Sequence, residues 1–461
     1  LSIEAVTGET IVNFNIEDLN DLASQIPNFT VGEGIATQAI TMRGLGSGQE
    51  RTFEQAVGMF IDGVYMPRSR QYRSPFFDVE RVEVVRGPQA VLFGLNSTAG
   101  AVSIVSRANQ PGDALSASVT ADFETEYGGS VISGIIGGSP SDNVGLRFAA
   151  SVRNTDGWFE NTTTGQDAGD TEHTLVRGTL VWDIAEEVTG SLKIEFSDYE
   201  TDGHIGEIFS GVAPIVEPTD GILDWRRSSD GTLLPIGNSL GFFENGTAGT
   251  IAENLNVAAK LEFGVGEHDL TLIGGHSSFD YDLSVDLDTT PLTVLGATID
   301  EEYDQTSIEV RLDSPVGDTF DYFVGAYFHT AELKNDQPNM FGPDAFGPGT
   351  GFLQGTRFEV DSELWSVYGS GTWHATDSVR LIFGARYTED IKDVLRPDDP
   401  CELVILPSTV IPAPAPLEAA LCTNPALINY TNRRTSGNIM PEATLQWDVS
   451  DDVMFYGRVG E

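Results

Sequence analysis

Residues 79–107 read VERVEVVRGPQAVLFGLNSTAGAVSIVSR and contain two short β-like runs separated by a glycine-rich turn. In the first run Val82 and Val84 alternate with Glu83, which places the valines on one side of a strand and the carboxylate on the other. Gly87 then allows a turn with positive φ and a close approach of the backbone. The stretch predicts an irregular sheet packed inside a small domain.

The rest of the N-terminal part follows the same pattern. Apolar residues recur at helical spacing between Leu19 and Ile26, which predicts a short amphipathic helix. Two further β-like runs come after it, AITMRGLG (39–46) and VGMFIDGVYM (57–66). We therefore expect residues 1–112 to form an α+β domain with an irregular, four-stranded core.

The second part of the chain, residues 113–461, alternates apolar and polar residues over long segments. In one segment Leu192 and Ile194 share a face, whereas Lys193 and Glu195 share the other. A strand that lies between an apolar medium and a polar one produces this pattern. About thirteen such strands can be counted, so the chain is predicted to be mostly β.

The connections between these strands alternate in length. Short ones fall at 139–143, 185–187, 264–268, 314–318, 374–378 and 450–452. Long ones fall at 156–172, 200–250, 282–301, 334–356 and 392–433. A sandwich or propeller has no reason to lengthen every second connection, whereas an outer-membrane barrel has short turns at one end and long loops at the other. The second part is therefore predicted to be a transmembrane antiparallel β-barrel.

The composition argues against several functional classes. The chain has 70 acidic and 25 basic residues and a net charge of −45, whereas a nucleic-acid binder needs a basic surface. No apolar run reaches the roughly 18–20 residues of a membrane-spanning helix, and the six histidines form no i,i+2 or i,i+4 pair. Because no credible Ser–His–Asp set is found either, we expect no enzyme activity, no resident metal and no cofactor.

The two cysteines, Cys401 and Cys422, lie in one Pro-rich stretch inside a predicted long loop. Their proximity in sequence favours a disulfide that closes the loop, and such a bond requires an oxidising compartment. Two unrelated free thiols are the alternative.

Four motifs in the first domain resemble the plug domain of TonB-dependent outer-membrane receptors. In order they are ITMRGLG (40–46), FIDGVYMPR (60–68), VERVEVVRGPQAVLFG (79–94) and STAGAVSIVSR (97–107). The barrel part resembles the same family more loosely, in stretches such as WSVYGSGTW, LIFGARYTEDIK and PEATLQWDVSDDVMFYGRV. The resemblance covers essentially the whole chain.

The resemblance implies a plug domain at 1–112, truncated at its N-terminus, inside a barrel at 113–461, truncated at its C-terminus. Transporters of this size close with about 22 strands, so about nine are expected beyond Glu461. The TonB box, the segment that TonB binds, is expected upstream of Leu1. The implied location is the bacterial outer membrane, with its lipid bilayer and TonB as partners.

The function implied by the resemblance is TonB-dependent active transport of a scarce solute across the outer membrane. A ferric siderophore is the first candidate for the small ligand. Cobalamin, an oligosaccharide or another small organic molecule are alternatives for the same mechanism. A passive porin or an adhesin is the alternative of a different class, but neither needs the four plug motifs.

The resemblance also suggests how the plug is anchored. Arg43 and Arg86 occupy plug motif positions whose arginines, in the family, pair with acidic residues on the barrel wall, and Glu83 is grouped with them. The inward-facing candidates on the wall are Glu195, Glu262 and Glu309. The alternative is that Arg43 and Arg86 pair inside the plug, with Glu80 or Glu83.

The predicted apical loops of the plug concentrate basic and aromatic residues. The residues of this apical patch are Arg51, Tyr65, Arg68, Arg70, Tyr72 and Arg73. Guanidinium groups and tyrosine rings suit an anionic, planar ligand such as a ferric catecholate or carboxylate siderophore, which predicts that they point into the extracellular vestibule. Alternatively the arginines only neutralise an acidic lumen. Specificity then lies in the loop at 200–250, with Phe209, Trp225, Phe242 and Phe243.

Overall fold

A wall of long antiparallel strands curves around a small N-terminal domain in the computed structural model. The residues that the structure describes are 2–33, 38–48, 54–88, 90–94, 96–125, 128–157, 159–160, 167–202, 249–287, 295–341, 350–397, 401–405, 409–412, 430–450 and 453–460. We call the N-terminal domain the plug and the long-stranded sheet the wall.

The plug combines short strands with short helices. Its elements are β1 (Ser2–Thr7), α1 (Gly8–Asn13), α2 (Leu19–Gln25), β2 (Phe29–Glu33), β3 (Gln38–Met42), β4 (Leu45–Gly46), β5 (Val57–Ile61), β6 (Val64–Tyr65), a 3₁₀ helix (Ser69–Tyr72), β7 (Val79–Arg86), α3 (Ala90–Phe93) and β8 (Gly100–Ser106).

The main sheet of the plug has five strands in the order β1-β7-β8-β5-β6, and β2, β3 and β4 form a second sheet. The expected four-stranded core is therefore wrong in its strand number. The difference arises because β1 pairs with residues 81–86 of β7 and buries Val6 in the plug core. Among the plug strands that the structure describes, only β5 and β8 run parallel to each other.

The predicted amphipathic helix is confirmed as α2. Its N-terminus is capped by Asp18, whose side chain accepts hydrogen bonds from the backbone N–H groups of Asn20 and Asp21. Such a cap supplies partners for N–H groups that the helix itself leaves unpaired. Leu19 and Leu22 on its inner face are buried in the plug core.

The second part of the chain forms long strands and a few short ones, all of them in the wall except 159–160 and 167–168, which pair with each other in a separate two-stranded sheet. They are β9 (Ser116–Glu124), β10 (Gly129–Ser141), β11 (Val144–Thr155), β12 (Phe159–Glu160), β13 (Asp167–Ala168), β14 (Thr171–Ala185), β15 (Val188–Asp202), β16 (Gly249–Val265), β17 (His268–Asp286), β18 (Leu295–Asp313), β19 (Phe320–Asp336), β20 (Asn339–Phe341), β21 (Thr350–Gln354), β22 (Arg357–Thr376), β23 (Val379–Arg396), β24 (Cys401–Ile405), β25 (Thr409–Pro412), β26 (Tyr430–Ser450) and β27 (Val453–Gly460).

Thirteen long strands form the continuous antiparallel part of the wall among the described residues, which confirms the number and type predicted. Their order is β9-β10-β11-β14-β15-β16-β17-β18-β19-β22-β23-β26-β27. The predicted short turns connect β10 to β11, β14 to β15, β16 to β17, β18 to β19, β22 to β23 and β26 to β27.

One predicted long loop is largely strand. The connection expected at 282–301 is reduced because β17 continues to Asp286 and β18 begins at Leu295. Alternation continues here, with Leu283 and Ile299 buried on the inner face. The wall therefore extends its sheet further toward the long-loop end than the predicted loop allowed.

The wall has an apolar outer face and a polar inner face. On β15 the outward-facing Ile194 is 47% exposed and Leu192 is 37% exposed, whereas the inward-facing Lys193 and Glu195 are buried. The alternation predicted for this strand is confirmed. Among the described residues, no helix is both long enough and apolar enough to cross a membrane.

Adjacent glycines on β17 provide a test of how the plug fits the wall. A Cβ at Gly275, on the inner face, would lie 2.4 Å from Cγ1 of the buried plug residue Val64, whereas a Cβ at Gly274 has no neighbour within 4 Å. We expect Gly275→Ala to weaken plug docking by about 1–3 kcal/mol through overpacking. Gly274→Ala is the matched control and leaves docking unchanged.

The measurement is the urea midpoint of plug unfolding in the purified receptor. The rate at which trypsin cleaves the plug at each urea concentration reports the unfolding. Equal midpoints for Gly275→Ala, Gly274→Ala and the parent protein would show that the plug does not pack against β17 as described.

Candidate functional site at the plug–wall interface

A hairpin turn in the plug presents the central carboxylate of the interface. Asp62 and Gly63 connect β5 to β6 with φ values of 49° and 85°, and Ile61 pairs with Val64 across the turn. Positive φ at both central positions is the geometry that favours an Asp-Gly sequence in a two-residue hairpin loop. The turn thus directs the Asp62 side chain toward the wall.

The Asp62 carboxylate accepts hydrogen bonds from both domains. In the plug, the backbone N–H of Ser106 donates to Oδ1 at 2.8 Å and the Ser106 hydroxyl to Oδ2 at 2.9 Å. From the wall, Nζ of Lys193 donates to Oδ2 at 2.6 Å. Three donors from two domains therefore fix the position of this turn.

An ion network extends from Lys193 along the wall. Nζ of Lys193 lies 3.5 Å from Glu195, and Glu195 accepts from Nε of Arg177 at 2.5 Å. Arg177 also donates to the backbone carbonyl oxygen of Phe77 in the plug, at 2.7 Å. The wall thereby contacts the plug again, just before β7.

Asp78 completes this ion network. Its carboxylate accepts two hydrogen bonds from Arg147 on β11, at 2.7 and 2.5 Å, in the bidentate geometry that guanidinium groups form with carboxylates. We use the name ion network for Asp62, Lys193, Glu195, Arg177, Asp78 and Arg147. It joins the plug to three consecutive wall strands, β11, β14 and β15.

Three further ion pairs join the plug to the wall. Arg153 pairs with Glu17, Lys392 with Glu54 at 2.7 Å, and Arg70 with Glu301 at 2.8 Å. Together with the pairs of Asp62 and Asp78, this makes five plug–wall ion pairs between described residues. In four of the five the plug supplies the acid and the wall supplies the base.

The predicted plug anchors have different surroundings. Arg86 pairs with Glu4 inside the plug, on the neighbouring strand β1. This supports the alternative of pairing inside the plug, although with Glu4 rather than with Glu80 or Glu83. Arg43 is exposed and forms no ion pair with a described residue. Glu83 pairs with Arg81 at 2.6 Å.

The wall carboxylates expected to pair with the plug arginines have partners on the wall instead. Glu195 belongs to the ion network, but its partners are the wall residues Arg177 and Lys193. Glu262 pairs with Lys260 at 2.7 Å, and Glu309 accepts a hydrogen bond from the Tyr368 hydroxyl. The expected polarity, plug arginine to wall acid, is found at Arg70 and Glu301.

The bases of the ion network were not predicted from the sequence, although their inward positions in the alternating strands indicate them. Lys193 alternates with the outward-facing apolar residues of β15, and Arg177 lies on the inner face of β14 between Val176 and Gly178. A buried base at an inward position of a barrel strand needs a polar partner in the lumen, and the plug supplies one for Lys193, Arg177 and Arg147.

Arg70 does not point into an open vestibule, which corrects the prediction for the apical patch. Its side chain is 2% exposed, and it pairs with Glu301 on β18. The guanidinium also stacks on the ring of Tyr281, with Cζ 3.7 Å from the ring centroid. Through these contacts Arg70 attaches the plug to the wall.

The other described residues of the apical patch are also largely enclosed. Arg68 is buried, with its guanidinium 5.7 Å from the ring centroid of Tyr303, and Arg73 is partly buried. Tyr65 accepts from the amide of Asn96 at 2.7 Å. Arg51 lies outside the described residues.

Tyr72 is poorly suited to bind iron directly. Its ring lies in the plug core, and burial raises the pKa of the Tyr72 phenol, a shift that the nearby Arg73 only partly offsets. A phenol must lose its proton to act as an anionic iron ligand. The apical patch therefore supplies no phenolate from Tyr72.

Several predicted features fall outside the described residues. They are Phe209, Trp225, Phe242, Phe243 and Cys422. Because the side chain of Cys401 is not described either, the disulfide stays a prediction. The segment GNSLG at 237–241 matches the G-x-S-x-G pattern of serine hydrolases, and it also lies outside the described part. Within that part, no group of three or more His, Cys, Asp or Glu side chains could hold a metal ion.

A plug held by ion pairs inside a strand wall defines the class of plugged outer-membrane barrels. Residues 1–101 match the TonB-dependent Receptor Plug Domain family, and residues 140–461 match the TonB dependent receptor-like, beta-barrel family. The chain belongs to the TonB-dependent receptors, a family of bacterial outer-membrane proteins.

Two curated relatives are similar over about a quarter of the chain. The Iron-regulated outer membrane virulence protein of Vibrio cholerae serotype O1 is 29% identical over 121 residues, which are 24% of this chain and 18% of that protein. The Probable TonB-dependent siderophore receptor PiuA of Acinetobacter baumannii is 27% identical over 123 residues, which are 26% of this chain and 15% of that protein.

Solved structures share the fold over nearly the whole chain. The ferric yersiniabactin uptake receptor FyuA from Yersinia pestis superposes with a TM-score of 0.74 at 16% identity, covering 99% of this chain and 64% of that one. The ferric-catecholate import receptor Fiu from E. coli K12, in its open form, gives 0.67 at 13% identity, covering 100% and 69%. The chain thus spans about two thirds of the length of these receptors.

The contact between Lys193 and Asp62 can be tested by removing the amine. Lys193→Met leaves the partly buried carboxylate of Asp62 without its cation, whereas Glu195 keeps Arg177 as a partner. Loss of one partner of a buried pair typically costs about 3–5 kcal/mol. Lys260→Met is the control, because its pair with Glu262 is half exposed and such pairs contribute about 0–1 kcal/mol.

The readout is the free energy of plug unfolding in urea, measured for both variants and for the double variant Asp62→Asn/Lys193→Met. We expect the double variant to recover part of the loss, because the two residues interact directly. Equal losses for Lys193→Met and Lys260→Met would contradict a buried plug–wall pair.

The surroundings of Glu54 predict how its contribution to plug stability depends on pH. Burial opposes ionisation of Glu54, but the charges of Lys392 and Arg68 outweigh it and hold the pKa of the carboxyl below its ordinary value of 4.5. A lowered pKa contributes stability above pH 4.5, and that contribution is lost as the pH falls through the folded-state pKa. The stability difference between the parent and Glu54→Gln should stay constant from pH 7 to 5 and shrink only below that.

Urea midpoints of plug unfolding at each pH provide the measurement, and Lys392→Met serves as the reciprocal variant. A difference that already declines between pH 7 and pH 5 would show that Glu54 is not held ionised by these bases.

Proposed function

We propose that this receptor imports a ferric siderophore across the bacterial outer membrane, driven by force from TonB. The observation that carries the transport part of the proposal is the plug, which occupies the inside of the wall through five ion pairs between described residues. A passive porin needs an open lumen, so the docked plug favours gated import over diffusion.

The chemistry of the interface suits a plug that is held and then released. The apolar core of the plug lies mainly among its own residues, whereas the contacts with the wall are largely ionic or hydrogen-bonded. When the plug moves, water can hydrate the separated charges and recover much of the lost interaction energy. A continuous hydrophobic seam would have no comparable compensation.

The first step of release can be assigned to β1. The energy-coupling segment of the family precedes the plug, so that force reaches the plug through β1, the edge strand of its main sheet. β1 is held by its ladder with β7 and by the ion pair between Glu4 and Arg86. Pulling on β1 therefore loads the ladder and this pair before it loads the plug–wall contacts.

Kinship with siderophore receptors supports iron as the cargo. The similar proteins include an iron-regulated outer-membrane protein and the receptors PiuA, FyuA and Fiu. The apical patch no longer supports this assignment, because Arg70 is engaged by Glu301 and Arg68 is buried. Cobalamin and oligosaccharides remain alternative solutes for the same mechanism.

Uptake by cells distinguishes these solutes. A strain that lacks the receptor gene is complemented with the gene, starved of iron, and given ⁵⁵Fe as a tris-catecholate, a carboxylate or a thiazoline-phenolate chelate. We expect the gene to restore uptake of at least one chelate, and a protonophore or loss of TonB to abolish that uptake. Labelled cobalamin and maltodextrin are the comparison solutes.

Uptake that persists after loss of the proton gradient would contradict active import and favour a passive channel. Import of cobalamin or maltodextrin without any ferric chelate would retain the transport mechanism and refute the iron assignment.

A further inference from the structure

Arg386 differs from the other buried bases at the plug–wall interface. Arg70, Arg177 and Lys193 each contact a carboxylate at 2.5–2.8 Å. Arg386, on the inner face of β23, is 4% exposed, yet none of the described carboxylates forms an ion pair with it. A buried guanidinium without an anion lacks the compensation that the other bases receive.

The hydrogen bonds of Arg386 are long. Its Nε lies 3.4 Å from the hydroxyl oxygen of Thr388, and one terminal nitrogen lies 3.5 Å from the backbone carbonyl oxygen of Val91 in α3. Both distances lie beyond the 2.7–2.9 Å typical of charge-assisted hydrogen bonds. The positive charge is therefore held without a strong acceptor.

Two wall tyrosines surround the guanidinium. Its Cζ lies 4.7 Å from the ring centroid of Tyr368 and 5.9 Å from that of Tyr327, distances at which a cation is attracted by an aromatic face. The hydroxyl of Tyr368 donates to Glu309. Tyr368 thus lies between the guanidinium of Arg386 and the carboxylate of Glu309. The Glu309 carboxylate has a hydrogen-bond donor in the Tyr368 hydroxyl.

The plug covers this position with α3. Gly94, directly after α3, has a φ of 79°, and a Cβ there would lie 2.7 Å from Cζ of Arg386. A cavity of about 30 Å³ remains beside the guanidinium, enough for one or two water molecules. Aromatic rings of both domains line it, Phe60, Tyr65 and Phe93 from the plug and Tyr327 from the wall. Glu309, which accepts the hydrogen bond of Tyr368, also lies in its lining.

We propose that Arg386, with Tyr327 and Tyr368, is an anion-binding station on the barrel wall, which α3 covers at rest and which an anionic aromatic chelate contacts during transit. This inference rests on the proposed function and deepens it, because it specifies that the transported chelate is anionic and carries a planar aromatic group. A planar guanidinium between aromatic rings matches a carboxylate, phenolate or catecholate attached to a ring.

The covering segment is short, and it rests on the wall mainly through packing of the buried Val91. Between described residues, the contact of Val91 with Arg386 is the hydrogen bond that joins α3 to the wall, and α3 has only four residues. Withdrawal of α3 removes that carbonyl and leaves the guanidinium facing the opened space. An incoming anion then supplies the partner that the closed state lacks.

Current block tests the station without any need for import. The complete receptor, produced from its own gene, is placed in planar lipid bilayers with its plug displaced by urea, and benzoate is added as an anionic aromatic probe. We expect Arg386→Gln to raise the half-blocking concentration of benzoate roughly 10-fold or more, as for loss of one charge-assisted contact. The half-blocking concentration for Arg386→Lys should lie between those of the parent protein and Arg386→Gln.

Benzamide is the matched neutral probe, with nearly the same shape and no charge. Its block should be weak and the same in all three proteins. Benzoate block that is absent in the parent protein, or unchanged in Arg386→Gln, would overturn the station.

Uptake measurements distinguish a role of Arg386 in chelate transit from a role in holding the plug. In iron-starved cells, Arg386→Gln should lower the maximal rate of chelate uptake while the affinity of the resting receptor for the same chelate and the urea midpoint of its plug stay unchanged. A fall in affinity and in midpoint together, with the lysine variant equally affected, would assign Arg386 to plug docking and overturn the proposal. If the parent cells import no ferric chelate, the proposed function fails, but the benzoate result is unaffected.

Discussion

The position of the plug depends on one shared carboxylate, that of Asp62. Because the Asp-Gly hairpin turn requires positive φ at both central residues, the backbone directs this side chain to one place. Donors from β8 and from the wall then meet there, through Ser106 and Lys193. The contacts of Arg177 with Phe77 and of Arg147 with Asp78 extend this attachment to β14 and β11, so the plug is fixed against three neighbouring wall strands.

Cohesion of the plug and docking of the plug are separate properties. The plug is held together by an apolar core that includes Leu22, Met42 and Val84, whereas its attachment relies mainly on charges. Buried ion pairs add little net stability over an apolar seam, but they are costly to mismatch. The interface is therefore specific in position without being strong for its area, which is what a gate requires.

Local patterns allowed much of the fold to be predicted, because strand alternation and turn length are written in neighbouring residues. The thirteen long strands and α2 are of this kind. The anchoring pairs are not, since Arg86 meets Glu4 only because β1 pairs with β7. Likewise, the burial of Arg70 depends on a 3₁₀ helix that carries it against β17 and β18. Charge composition located the apical patch but could not show which surface it faces.

The scarcity of bases explains why the polarity of the interface was unexpected. With 25 basic residues against 70 acidic ones, the composition predicts that plug arginines pair with acids on the wall. The described interface mostly reverses this, because inward bases such as Lys193 and Arg147 need acids that the plug supplies. The wall bases of the plug–wall pairs have carboxylate partners, whereas Arg386 has none among the residues that the structure describes. An unmatched cation beside a movable segment is consistent with a partner that arrives only when that segment leaves.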